Sequence, residues 1–103
     1  MSVIFHIMKE EYERLSEAEK AYRKNISREI KGAPRIKHIG NKDYLYLEKR
    51  EGAKVVYQYV GEVHSEKAIS VMESVKRRKK NESSLKNVLS DLKDVKKVLR
   101  GKI

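Results

Sequence analysis

Between Arg35 and Gly61 the chain reads RIKHIGNKDYLYLEKREGAKVVYQYVG, in which β-branched and aromatic residues alternate with polar ones and turn formers recur at Gly40-Asn41 and Glu51-Gly52-Ala53. Alternation with a period of two, broken by glycine-containing turns, is the pattern of antiparallel strands joined as hairpins. The stretch predicts a three-stranded meander over residues 35–61. It also constrains what surrounds it, because a small sheet with one apolar face needs helices to cover that face.

Side-chain parity divides the meander. If both turns are two-residue loops, Ile36, Leu45, Leu47, Val56 and Val60 share one face, and Arg35, Lys37, Ile39, Tyr44, Tyr46, Arg50, Val55, Tyr57 and Tyr59 share the other. A longer second loop would mix the two sets. The aliphatic face is expected to pack against helices. The other face is aromatic and basic: its rings suit stacking, its hydroxyls suit phosphates or base edges, and Arg35, Lys37 and Arg50 suit charge-assisted bonds to phosphate. The alternative is that the second helical segment covers Tyr44, Tyr46, Tyr57 and Tyr59, which then serve as cross-strand aromatic pairs.

Helical sequence flanks the meander on both sides. From Phe5 to about Lys31, apolar positions at Phe5, Met8, Tyr12, Leu15, Ala18, Tyr22, Ile26 and Ile30 are three or four residues apart, as on an amphipathic helix. Glutamates dominate its first half and cations its end, the order that suits the helix dipole, and Gly32 with Pro34 then stops it. The near-heptad spacing fits a coiled coil as well as a core-facing helix. A second helix is expected to begin at Ser65, a good N-cap, with Ala68, Ile69, Met72 and Val75 at helical spacing. Asn81-Glu82-Ser83-Ser84 is either a break or part of one helix running to Arg100. Beyond it, Leu85, Val88, Leu89, Leu92, Val95, Val98 and Leu99 form an apolar stripe that needs a partner: the first helix, or another copy in a homodimer.

Charge is the strongest property of the whole chain. Its net charge is +10, and residues 65–103 hold 12 cations against 5 carboxylates. Lys76-Arg77-Arg78-Lys79-Lys80 places five cations in succession, which on a helix wrap most of the circumference. Such a field attracts polyanions, nucleic acid above all, and secondarily an acidic protein or an anionic surface. With no cysteine there is neither a disulfide framework nor a thiolate metal site, and an intracellular, cytoplasmic chain fits best. Residues 2–8 are apolar but too short to span a membrane, and they lack the charged start of a signal peptide.

Catalytic chemistry is not indicated. His6, His38 and His64 have no ligand spacing, the carboxylates are scattered, and no phosphate-cradling glycine loop is present. The expectation is a non-enzymatic protein without metal or cofactor.

The segment Tyr44-Leu45-Tyr46-Leu47-Glu48-Lys49-Arg50-Glu51-Gly52, followed by Tyr57-Gln58-Tyr59-Val60-Gly61, resembles small uncharacterised prokaryotic proteins with a tyrosine-rich YLxxREGxK…YxG hairpin and a charged helical tail. That resemblance implies an architecture over residues 35–100 and no activity. More loosely, three strands followed by a helix is similar to the AP2-like and arm-type DNA-binding domains of integrases, which set their sheet against the DNA major groove. On that likeness Arg35, Lys37, Tyr46, Arg50 and Tyr57 are the corresponding positions; the long flanking helices here depart from it.

The reading is therefore a single α+β domain over residues 1–103, with a helix over 5–31, a three-stranded sheet and one or two C-terminal helices. The expected role is nucleic-acid binding, DNA for preference. Arg35, Lys37, Tyr44, Tyr46, Arg50, Tyr57 and Tyr59 form the surface, and Lys76, Arg77, Arg78, Lys79 and Lys80 extend it. The alternative is a helical adaptor or antitoxin-like subunit that meets an acidic protein.

Overall fold

The structure, a computed structural model, describes residues 3–100. Helix α1 (Val3–Arg28) is followed by strands β1 (Ala33–Ile39), β2 (Lys42–Glu51) and β3 (Lys54–Glu62), and then by helix α2 (Glu66–Arg100). The fold is α+β, with an antiparallel sheet in the order β1-β2-β3. The described residues divide into two compact units: 3–28 with 80–100 form one, and Glu29–Lys79 form the other. No described helix is long and apolar enough to cross a membrane.

In the sheet unit both hairpins close through two residues, Gly40-Asn41 and Gly52-Ala53, as the pairs Ile39↔Lys42 and Glu51↔Lys54 show. Gly40 and Gly52 take φ of 64° and 62° at the first turn position, which glycine adopts without the steric cost a Cβ imposes. Two-residue loops preserve parity, so the two faces separate as the alternation predicts. A bulge beside Leu45/Tyr46, where Leu45 pairs with Gly61 and Tyr46 with Tyr59, leaves Val60 as the extra residue and turns it into the core.

The core of this unit joins Leu45, Leu47 and Val60 of the sheet to Ala68, Val71 and Val75 of α2, with Ile30 and Met72 packed around them. The spacing of Ala68, Val71 and Val75 gives α2 one stripe to lay on β2 and β3. Ile36 departs from expectation: parity puts it on the aliphatic face, yet it is 53% exposed. It stands on edge strand β1, and no residue of β1 belongs to the core beneath α2.

The first helix ends at Arg28 rather than Lys31. Glu29 and Ile30 are drawn instead into contacts with α2. The Ile30 N–H donates to Ser74 Oγ (2.9 Å), the Ser74 hydroxyl donates to Glu29 Oε2 (2.8 Å), and Arg78 donates to the Ile30 carbonyl (2.7 Å). At the other junction Ser65 caps α2, its Oγ accepting from the Ala68 N–H at 3.2 Å. Asn81 to Ser84 continue the helix without a break.

In the other unit α1 and the distal part of α2 run antiparallel around buried Leu15, Leu92 and Val95, with Met8, Tyr12, Val88 and Leu99 half-buried beside them.

Candidate functional site

With α2 on the aliphatic face, the opposite face of the sheet carries the tyrosines. Tyr57 and Tyr59 are 52% and 54% exposed, and Tyr44 and Tyr46 are half-buried. The second helical segment therefore does not cover them, and the alternative of a helix-buried tyrosine cluster is not the one realised.

Pairing aligns the face in rows. Arg35 pairs with Tyr46 and Tyr46 with Tyr59; Lys37 pairs with Tyr44; Glu48 pairs with Tyr57, and Arg50 with Val55. Tyr46 and Tyr59 meet edge to face with centroids 5.3 Å apart, and Tyr44 lies 6.2 Å from Tyr59, an aromatic cluster spanning two strands. Lys37 folds over the face, its ammonium 4.6 Å from the Tyr46 centroid and 4.9 Å from that of Tyr57.

Glu48 sits among these groups. Its Oε2 accepts from Arg35 and its Oε1 from the Tyr57 hydroxyl, each at 2.9 Å. The hydrogen bond to this carboxylate, and then its charge, hold the Tyr57 phenol above its ordinary pKa, so the ring stays protonated and donating. Arg50 is exposed and, among the described residues, has no ion-pair partner. The face thus offers half-exposed rings, Arg35 and Lys37 in loose surface contacts, the exposed Arg50 and the central Glu48 carboxylate, with the Lys42–Glu62 pair (3.9 Å) at its end.

Sequence reasoning passed over Glu48, although its parity with Tyr46 and Arg50 marks it as a member of this face. It passed over the Glu29–Ser74–Arg77 cluster too, which joins residues more than forty positions apart and leaves no local signal.

The basic run is not brought onto this face. Lys76, Arg77, Arg78 and Lys79 stand on α2, the helix that lies against the other side of the sheet, and Lys80 falls in the other unit. Arg77 donates to both Glu29 oxygens at 3.2 Å, and Arg78 holds the Ile30 carbonyl, so both also anchor the chain entering the sheet. Lys76, Lys79 and Lys80 are exposed.

Among the described residues no group of three or more His, Cys, Asp or Glu could hold a metal ion. His38 meets the Asp43 carboxylate at the first hairpin.

A protein-family model described as a domain of unknown function, DUF6788, matches residues 8–68, more than half of the chain. The chain belongs to that family. The family match runs from within α1 through all three strands to Ala68, so it takes in every residue of the tyrosine face and stops before Lys76. No curated protein and no solved structure matches the chain.

Proposed function

We propose that the tyrosine face is a non-catalytic nucleic-acid-binding surface, with DNA the preferred ligand and the cytoplasm the setting. One observation carries the reading: the face left uncovered by α2 gathers Tyr44, Tyr46, Tyr57 and Tyr59 with Arg35, Lys37 and Arg50. Arg35, Lys37 and Arg50 hold phosphates, while Tyr57 and Tyr59, the more exposed rings, stack on bases or sugars. Sheets do present side chains to the major groove or to single strands. The likeness to integrase arm-type domains adds to this reading. Lys76, Lys79 and Lys80 supply separate electrostatic contacts.

Lys37 and Arg35 are held by weak surface interactions. Lifting an ammonium from an exposed ring costs about 0.5–1 kcal/mol, and an exposed ion pair such as Arg35–Glu48 is of similar strength. A phosphate can therefore recruit Lys37 and Arg35 without rearranging the fold.

A gel shift at low salt with short duplex and single-stranded DNA tests the proposal. Binding by the native chain, lost on joint Lys37→Glu and Arg50→Glu substitution with the circular dichroism spectrum unchanged, is the expected result. No affinity at low salt overturns it. Stoichiometric retention of one acidic protein, with no nucleic acid retained, favours the adaptor reading instead.

A further inference from the structure

The helical unit leaves much of its apolar surface open. Its buried residues are Leu15, Leu92 and Val95, and it consists of α1 packed against the distal part of α2. Two helices in one layer cover each other on a single side. On α1 the inner stripe is Phe5, Met8, Tyr12 and Leu15. At roughly 100° per residue, Ile4, Ile7, Glu11 and Arg14 form a second stripe along one flank. Val3, Ile4 and Ile7 are 73%, 67% and 57% exposed. With the inner stripe, these residues make the first two turns of α1 apolar over somewhat more than half the circumference, leaving His6, Lys9 and Glu10 on the remaining side. An apolar arc that one partner helix does not cover calls for a second partner.

The unit has two flanks, and their chemistry differs. On one, an open cleft of about 720 Å³ is lined by Phe5, Tyr12 and Leu99 and rimmed by Lys9, Lys96 and Arg100. Two copies meeting through that flank would oppose cations of one sign. The other flank carries the Ile4–Ile7 stripe, and its charges are mixed: Arg14 is hydrogen-bonded to Glu11 and lies within the field of Asp91 on α2. Exposed Val98 adds apolar surface on α2.

We infer that the Ile4–Ile7–Glu11–Arg14 flank is the contact between two copies of this chain, which close as a symmetric four-helix arrangement. Apolar residues along the stripe meet their counterparts. The alternating Glu11 and Arg14 allow opposite charges to face each other across a two-fold axis, as an isologous contact requires. The cation-rimmed cleft stays outside the contact.

Sedimentation equilibrium of the full chain without nucleic acid tests this independently of the reading of the sheet. A reversible dimer is expected. Ile7→Glu raises its dissociation constant at least about tenfold, with helix content preserved because Ile7 lies outside the core of its own chain. Lys96→Glu, on the cleft side, leaves the dimer intact. A chain that is monomeric at all concentrations, or a dimer that ignores Ile7→Glu and yields to Lys96→Glu, overturns the inference. So does a monomer that sediments with anionic phospholipid vesicles and is released by Ile7→Glu, since the flank then serves a membrane surface.

Discussion

The Lys37 ammonium lies 4.6 Å from the centre of the Tyr46 ring, on the side of the sheet that α2 leaves open. A cation over an aromatic ring at a solvent-facing position is held in place yet remains available. The same side chain that tidies the free surface can swing to a phosphate, and the ring it uncovers can take a base.

Lys37→Gln removes both options. Affinity for nucleic acid is expected to fall, with the slope of log K against log salt reduced by about one unit. Thermal stability shifts by no more than about 1 kcal/mol equivalent, since the contact is exposed. Anisotropy titrations and a melting curve on the same preparation check both parts.

Glu48 restrains the surface. Its carboxylate occupies Arg35 and opposes phosphate, so Glu48→Gln is expected to tighten binding about two- to fivefold, the effect of removing one exposed like charge. The same change releases Tyr57. Its phenol, raised by the Glu48 hydrogen bond, should titrate nearer the ordinary value of about 10 in the variant. The sign follows: the bonded phenol contributes stability present below the unfolded pKa and lost as alkaline pH rises through the folded one. Ultraviolet titration resolved by Tyr57→Phe reads the shift.

The two faces of the sheet should respond differently to truncation. Leu45, 1% exposed at the centre of the core, loses about 2–5 kcal/mol on Leu45→Ala. Tyr59→Ala on the open face costs about 1 kcal/mol or less. Urea denaturation measures both, and a large loss at Tyr59 would mean that its ring is packed rather than presented.

Ser74 holds the chain entering the sheet. Ser74→Ala strands the Ile30 N–H, which costs about 1–3 kcal/mol. Arg77, and then Ser74, hold the Glu29 carboxyl below its usual range. Its contribution to stability is therefore present above the unfolded carboxylate pKa and is lost as pH falls through the lowered folded value. Acid unfolding followed by circular dichroism should lose this component in Glu29→Gln.

What the residue pattern made legible is local. Gly40 and Gly52 marked the two turns, parity assigned Tyr46 and Leu45 to opposite faces on the condition of two-residue loops, which the pairing meets, and Ser65 marked the start of α2. What it left open depends on contacts distant in sequence. Whether a helix covers Leu45 or Tyr46 is decided by which stripe of α2 is apolar where it meets the sheet, and Ala68, Val71 and Val75 face Leu45. The helix end at Arg28 was not readable, because the residues that draw Ile30 away lie at positions 74 and 78. Ile36 obeyed parity but not burial, since alternation does not say how far a helix reaches across an edge strand. Asn81, Ser83 and Ser84, weak helix formers taken singly, are carried by the helix on both sides of them.

The most direct measurement of the central claim is the salt dependence of DNA binding, followed by fluorescence anisotropy between about 50 and 200 mM salt. Contacts from Arg35, Lys37 and Arg50 predict a log–log slope of about −3 or steeper, falling by about two units in magnitude when Lys37 and Arg50 are both changed to glutamine. Absence of binding at the lowest salt, or a slope indifferent to those two substitutions, would contradict the assignment of this face to nucleic acid.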